Sequence, residues 1–354
     1  MSSAPRAGTA RFPNAAFMPA AAALLAALFF GVSTPLSKLL LADLNPFLLA
    51  GLLYLGAGLG LAAFQLLRGG RLLPEGRFRR GYAAGMVLCG GMLGPVLLML
   101  AIRLAPAASV SIWLNLELVA TALLGHFLFK DQLGRGGWLS VALALGAGTL
   151  LSYDGGEAGV YAGLLTAAAC LCWGFDNHFT ALIADLSPLQ STVLKGLAAG
   201  ATNTLLGLAA GGGLPPAAAG KALAAGFVCY GLSITLYISA AQRLGAVRSQ
   251  LIFSVSPLFG VLLSVLLLKE GLSPAQLASG ALLLAAVWLL MAEKHSHAHS
   301  HEAVEHSHAH SHDDLHHDHS HADAPSGPHA HPHAHDGRAH AHPHYPDLHH
   351  RHRH

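Results

Sequence analysis

The chain is 354 residues long, 53% hydrophobic and only 11% charged, with a formal net charge of +2. A soluble globular domain carries roughly 25% charged residues, so this composition argues against a soluble fold, and the near-neutral balance argues against a nucleic-acid partner. Four cysteines, Cys89, Cys170, Cys172 and Cys229, lie in apolar runs and suggest no disulfide framework.

Crossing a hydrocarbon core about 30 Å thick takes roughly 20 apolar residues in a helix. Ten runs approach that length: 17–41, 46–67, 81–102, 106–129, 136–152, 158–183, 189–210, 220–242, 246–268 and 273–292. Their continuity predicts helices, because membrane strands alternate over about 10 residues. The expected fold class is therefore an all-α integral membrane protein spanning a lipid bilayer. The first run is too long for a signal peptide and lacks a small-residue cleavage site in a polar flank.

Orientation follows from lysine and arginine in short loops. With the N-terminus inside, inner loops hold Arg68, Arg71, Arg77, Arg79, Arg80, Lys130, Arg135, Arg243 and Arg248, and outer loops only Arg103, Lys221 and Lys269. Both termini are expected to be cytoplasmic, with the chain in the plasma (inner) membrane.

The two halves resemble each other. LAALFFGVSTPLSKLLLADLNP in the first matches AAACLCWGFDNHFTALIADLSP in the second, aligning Gly31 with Gly174 and the ADLNP and ADLSP turns. AIRLAPAASVSIW (101–113) matches AQRLGAVRSQLIF (241–253) without a gap. Five spans per half, an odd number, predict two oppositely inserted repeats, the design of many secondary carriers. The expected organisation is an N-terminal arm (1–16), a first repeat (17–152), a second repeat (158–292) and a tail (293–354).

With WGF at 173–175, SVSPLFGVLLSVLLLKE (254–270) closing the second repeat and LGHFLFKD (124–131) at the matching place in the first, the sequence resembles the EamA-type transporters of the drug/metabolite transporter superfamily. The resemblance covers about residues 17–292 and implies ten spans in two inverted five-helix repeats, and a carrier, usually an exporter of small solutes. It leaves the cargo open. One departure stands out: where segment nine has Pro257, as is usual in that family, segment four has Glu117.

A carboxylate at mid-bilayer costs about 2.5–3.5 kcal/mol on insertion scales and normally faces a cavity. Glu117 and Asp176 are each the sole acid of their span and belong to different repeats, so they are candidates to meet at the repeat interface. At about 100° per residue, Trp113, Glu117 and Thr121 form one stripe, and Cys172, Asp176 and Thr180 another. Asp176 and His178 are about 200° apart, so an intact helix cannot aim both into one cavity. Asn177 and His178 then cap or bridge to neighbours. Lys195 is either a snorkelling lysine or a partner that locks Asp176 into a structural ion pair. The candidate substrate- or proton-binding set is Glu117, Asp176, Trp113, Thr121, Cys172, Asn177, His178 and Lys195.

After Glu293 the chemistry changes. All histidines but His126 and His178 lie in 295–354, in phrases such as HSHAHSH and HHDHSH. The segment has no apolar periodicity and is expected to be disordered. Its imidazoles at His295, His297, His299, His301, His306, His308, His310, His312, His316, His317, His319 and His321 are candidate ligands for Zn, Ni, Co or Cu. Protonation near the reference histidine pKa of about 6.5 would release such an ion as pH falls.

No required cofactor is expected. The pattern G-x-x-x-x-G-K-[ST] does not occur, and no nucleophile–base arrangement suggests an enzyme. The expected function is a proton-coupled secondary exporter of a small solute, a transition-metal ion or metal-linked cation. The alternatives are an exporter of an organic metabolite with an incidental tail, and a membrane metal sensor or buffer that moves nothing. The chain could also form a homodimer.

Overall fold

The computed structural model describes residues 17–72, 79–128, 134–183, 186–244 and 252–292, and within the tail 295–300, 304–310, 329–335 and 339–344. The helices are α1 (Phe17–Leu40), α2 (Pro46–Leu67), α3 (Arg80–Leu104), α4 (Ala107–Leu128), α5 (Arg135–Asp154), α6 (Gly156–Ala181), α7 (Pro188–Ala209), α8 (216–244), α9 (Ser256–Leu268) and α10 (Pro274–Ala292). The repeated turns prove to be helix starts. Asn45 accepts from the Leu48 amide at 2.8 Å with Pro46 at the first helical position. Ser187 and Gln190 form a capping box ahead of α7, again with proline first.

Seven helices among the described residues, α1–α6 and α8, are long and apolar enough to cross a membrane, and α9 and α10 are shorter apolar helices. The sequence predicted ten such runs. The remaining one, α7, spans 22 residues but carries Gln190, Lys195 and Asn203. Residues 246–251, the expected start of the ninth run, lie outside the described residues, as do Arg77, Lys130 and Arg248 of the orientation argument.

The surface is apolar where a soluble protein would be polar: Leu59, Leu145, Leu164, Leu205, Leu262 and Trp288 are 52–67% exposed. Only hydrocarbon satisfies such a face. Inside, α2 lies along α7, α1 against α8 and α9, α6 against α3 and α4, and α5 against α10. Helix contact in lipid depends on close backbone approach. A Cβ at Gly58 would stand 2.6 Å from the Leu197 amide nitrogen, and one at Gly196 2.6 Å from the Gly58 nitrogen, so α2 and α7 touch backbone to backbone.

Both α3 and α8 contain a π-helical stretch, Met86–Leu93 and Phe227–Leu232. Pro95 has no N–H to offer the Gly91 carbonyl four residues earlier. Asn203 of α7 bonds that oxygen at 3.3 Å and Met92 O at 3.2 Å. Gly90 O accepts from Tyr54 Oη at 2.7 Å and from Trp173 Nε1 at 3.2 Å. The irregular backbone is thus satisfied by side chains of three other helices, as the absence of water in lipid requires.

Residues 294–354 form a second compact unit. It contains β1 (His295–Ser300), β2 (Val304–His310), β3 (His329–His335) and β4 (Ala339–His344). β1 pairs antiparallel with β4, setting His297 opposite His342, and β2 with β3, setting His308 opposite His331. The sequence reading expected a disordered tail. Histidine alternating with Ser or Ala has the two-residue period of a strand, a pattern outweighed in the sequence reading by the lack of apolar residues. His301, His312, His316, His317, His319 and His321 lie outside the described residues.

Candidate functional site

α4 is not continuous. Its two parts, Ala107–Trp113 and Leu116–Leu128, are separated by a turn at Leu114 and Asn115. The Asn115 side chain donates to Ile112 O at 3.1 Å, an oxygen that also accepts the Asn115 backbone N–H at 3.2 Å, and so ties the turn together. Ahead of α9 the same interruption recurs: helical Ile252 and Phe253, a turn at Ser254 and Val255, then Ser256–Leu268. There Pro257, lacking an N–H, accounts for the interruption. In the ungapped alignment that pairs Trp113 with Phe253, the two turns coincide and Glu117 falls opposite Pro257.

The two breaks and Phe30 of α1 enclose a cleft. Its lining is Phe30, Leu114, Asn115, Glu117, Leu118, Phe253, Ser254, Ser256 and Pro257, around a space of about 20 Å³, room for one water. A narrower seam runs from it between α1, α4 and α9, past Thr34, Ser111 and Gly260. Glu117 is the titratable residue of the cleft wall, in the first turn of the second part of α4, where a helix N-terminus favours a negative charge. Asn177 of α6 donates to Glu117 Oε1 at 3.2 Å and to Thr121 Oγ1 at 3.3 Å.

Asp176, one residue earlier on α6, has other company. Lys195 Nζ of α7 lies 2.7 Å from its Oδ1 and 2.5 Å from its Oδ2, and Thr180 donates to Oδ1 at 3.2 Å. Both charged residues are buried, at 8% and 6% exposure. The carboxylate rests on the π segment of α3 at Gly90, where a Cβ would collide with it. His178 points to α4, its Nε2 3.1 Å from Thr121 O. Successive residues of one intact helix thus serve three neighbours, in keeping with the 100° step.

Three members of the predicted set lie away from the cleft wall. Glu117 and Asp176 were expected to line one cavity, but Asp176 is held by Lys195 and is not in the cleft wall. Trp113 leaves its expected stripe because the Leu114–Asn115 turn breaks the helical phase. Its indole donates to Gly148 O of α5 at 3.3 Å and packs at Gly163 of α6. Cys172 is half-buried on α6 and does not line the cleft. The sequence reading missed Phe30, Phe253, Ser254 and Ser256, although the match of 101–113 with 241–253 ended at the second break. Among the described residues no group of three His, Cys, Asp or Glu is placed to hold a metal ion.

The model of the EamA-like transporter family matches twice, over residues 18–153 and 160–292. The chain belongs to that family. It is a multi-pass membrane transporter, in keeping with its apolar outer face. An uncharacterized transporter of Methanothermobacter thermautotrophicus (strain Delta H) is 25% identical over 293 residues, covering 75% of this chain and 84% of that one. A crystal structure described only as that of a protein shares the fold, with a TM-score of 0.56 at 18% identity over 78% of this chain and 96% of the other.

Proposed function

We propose that this EamA-family chain is a secondary active carrier, a proton-coupled exporter of a small solute working by alternating access. In this reading ten membrane-crossing helices form two inverted five-helix repeats that rock about the cleft, and protons exchange at Glu117. The observation that carries it is the meeting of two helix breaks, one from each half, at a cleft with a single acid. Carriers of inverted-repeat design form their sites from such discontinuous helices. The paired π segments of α3 and α8, and the crossed packing of α1 on α9 and α6 on α4, support the same symmetry. Asp176 and Lys195 act as a latch between α6 and α7, and Asn177 links that latch to Glu117.

The positive residues of the loops favour the plasma membrane with both termini cytoplasmic. In this reading the tail collects Zn, Ni, Co or Cu ions on the cytoplasmic side, for a transition-metal or metal-linked cargo. A second reading, export of an organic metabolite with an incidental tail, is favoured by the cleft lining, which has one carboxylate and no imidazole or thiol. Uptake into proteoliposomes under an imposed pH gradient tests the carrier, with Glu117→Gln and Asp176→Asn expected to abolish flux while the protein still inserts. Normal flux in both variants would remove the acids from the mechanism. No flux of any solute by a protein whose tail binds metal would leave the sensor reading.

A further inference from the structure

Resting on the reading of the tail as a metal collector, and independent of the carrier, we propose that strand register builds the tail's zinc sites. Each of the two ribbons holds one zinc-class divalent ion between two successive cross-strand pairs of histidines. In an antiparallel ribbon, residues directly opposite each other share a face, and every second residue returns to it. β1 and β4 set His297 opposite His342 and His299 opposite His340. β2 and β3 set His306 opposite His333 and His308 opposite His331. Histidine thus meets histidine, rung after rung, on one face of each ribbon. A slip of a single residue would set His297 against Ala341 or Pro343 instead.

The prolines agree with that register. Proline has no N–H for the ladder, so it stands only at pairs where the ladder asks for none. Pro343 lies opposite Ser296 and Pro332 opposite Ser307, both on the face without histidine. Hydrogen-bonded and non-hydrogen-bonded pairs alternate along an antiparallel ladder. The histidine rungs therefore take the hydrogen-bonded kind, about 5.5 Å between Cα atoms, with successive rungs about 7 Å apart. Two rungs place four histidines at the corners of a small rectangle, a ligand number that suits one tetrahedral ion.

Stability points the same way. A two-stranded ribbon is marginal in water, and the ribbon of β1 and β4 has histidine on one face and only Ser, Ala and Pro on the other. Pairing β1 with β4 also closes a loop from Ser300 to Ala339, an entropic cost that small side chains do not offset and that a metal clip does. Ligand chemistry then sets the ion. The tail has no cysteine or methionine to favour Cu(I), and Ca or Mg ions want oxygen. Neutral imidazole suits zinc, which has no geometric preference from its d electrons. Among the described residues of the membrane unit no group of three His, Cys, Asp or Glu is placed to hold such an ion, so binding by the full chain falls to the tail.

The test uses the full chain in detergent, with zinc ion as the probe. Tight sites are counted by competition with a chromophoric chelator, and strand pairing is read as amide hydrogen exchange by mass spectrometry. One tight ion per ribbon is expected, and zinc should protect the amides of β1 and β4 together. The deciding variant combines Ala339→His, His340→Ala, Ala341→His and His342→Ala. It keeps composition and charge but moves two histidines of β4 to the opposite face, and slipping back by one residue would carry Pro343 to a pair that needs an N–H. One tight site should then weaken about tenfold or more. Zinc should no longer protect β1 and β4, while β2 and β3 keep their protection. Ser296→Ala with Ala298→Ser, on the face without histidine, should change nothing. Zinc binding untouched by the β4 exchange would show that histidine number and not register holds the ion, overturning the proposal and leaving the tail a metal collector. Binding without protection of β1 and β4 would overturn it equally. A full chain that takes up no zinc would overturn both readings.

Discussion

Lys195 Nζ lies within 2.7 Å of both carboxylate oxygens of Asp176, and both residues are buried where three helices meet. Removing one member of such a pair strands the other, at a cost of about 3–5 kcal/mol, whereas replacing both by neutral groups is often close to harmless. Lys195→Met should therefore lower the unfolding temperature in detergent sharply, and Lys195→Met with Asp176→Asn should recover most of the loss. If the latch takes part in coupling, the double variant should fold yet fail to couple flux to a pH gradient. A fully coupled double variant would reduce the pair to a structural lock.

The α2–α7 seam has no room for a side chain. A Cβ at Gly58 would meet the Leu197 nitrogen at 2.6 Å, while Gly81 has nothing within 4 Å. Overpacking of this kind costs about 1–3 kcal/mol. Gly58→Ala should lower thermal stability by that order and Gly81→Ala should barely change it. Equal effects at the two positions would contradict the close backbone approach.

Glu270 joins the end of α9 to the start of α4. Its Oε1 accepts from the Ala107 amide at 2.9 Å and its Oε2 from Ala108 at 2.8 Å. Nearby, Lys38 donates to Ile102 O at 2.6 Å and Ala105 O at 2.8 Å, completing the last turn of α3. Glu270→Ala should cost about 1 kcal/mol through the lost cap. It should also loosen the seam at that end. In a cysteine-free background, the buried Ser111→Cys should then become labelled by a membrane-impermeant maleimide where it was protected before. Unchanged protection would mean that the cap has no part in closing the seam.

The tail and the membrane unit are separable in the proposed mechanism. Deleting residues 295–354 should leave proteoliposome flux of the cleft's cargo intact and remove most Zn or Ni binding by the full chain. Since neutral imidazole is the ligand, binding by the intact protein should weaken as pH falls through about 6.5. Flux of the cleft's cargo that vanishes with the tail would show that the two parts work as one.

Periodicity and composition by themselves determined that this chain is a helical membrane protein of two related halves, because lipid demands long apolar runs and those survive any packing arrangement. Glu117 was legible for the same reason: an acid in a span has to face something polar. The partner of Asp176 was decided in three dimensions. Lys195 is 19 residues away on another helix, and only the packing of α6 and α7 against α3 makes an ion pair of what otherwise reads as a lysine near a helix end. The cleft was likewise invisible in either half alone. Its wall needs both breaks and a ring from α1, and a helical phase argument that runs through Leu114–Asn115 assigns Trp113 to the wrong neighbour. Local sequence dictates which faces must be hidden, whereas the long-range approach of helices dictates what each hidden group meets.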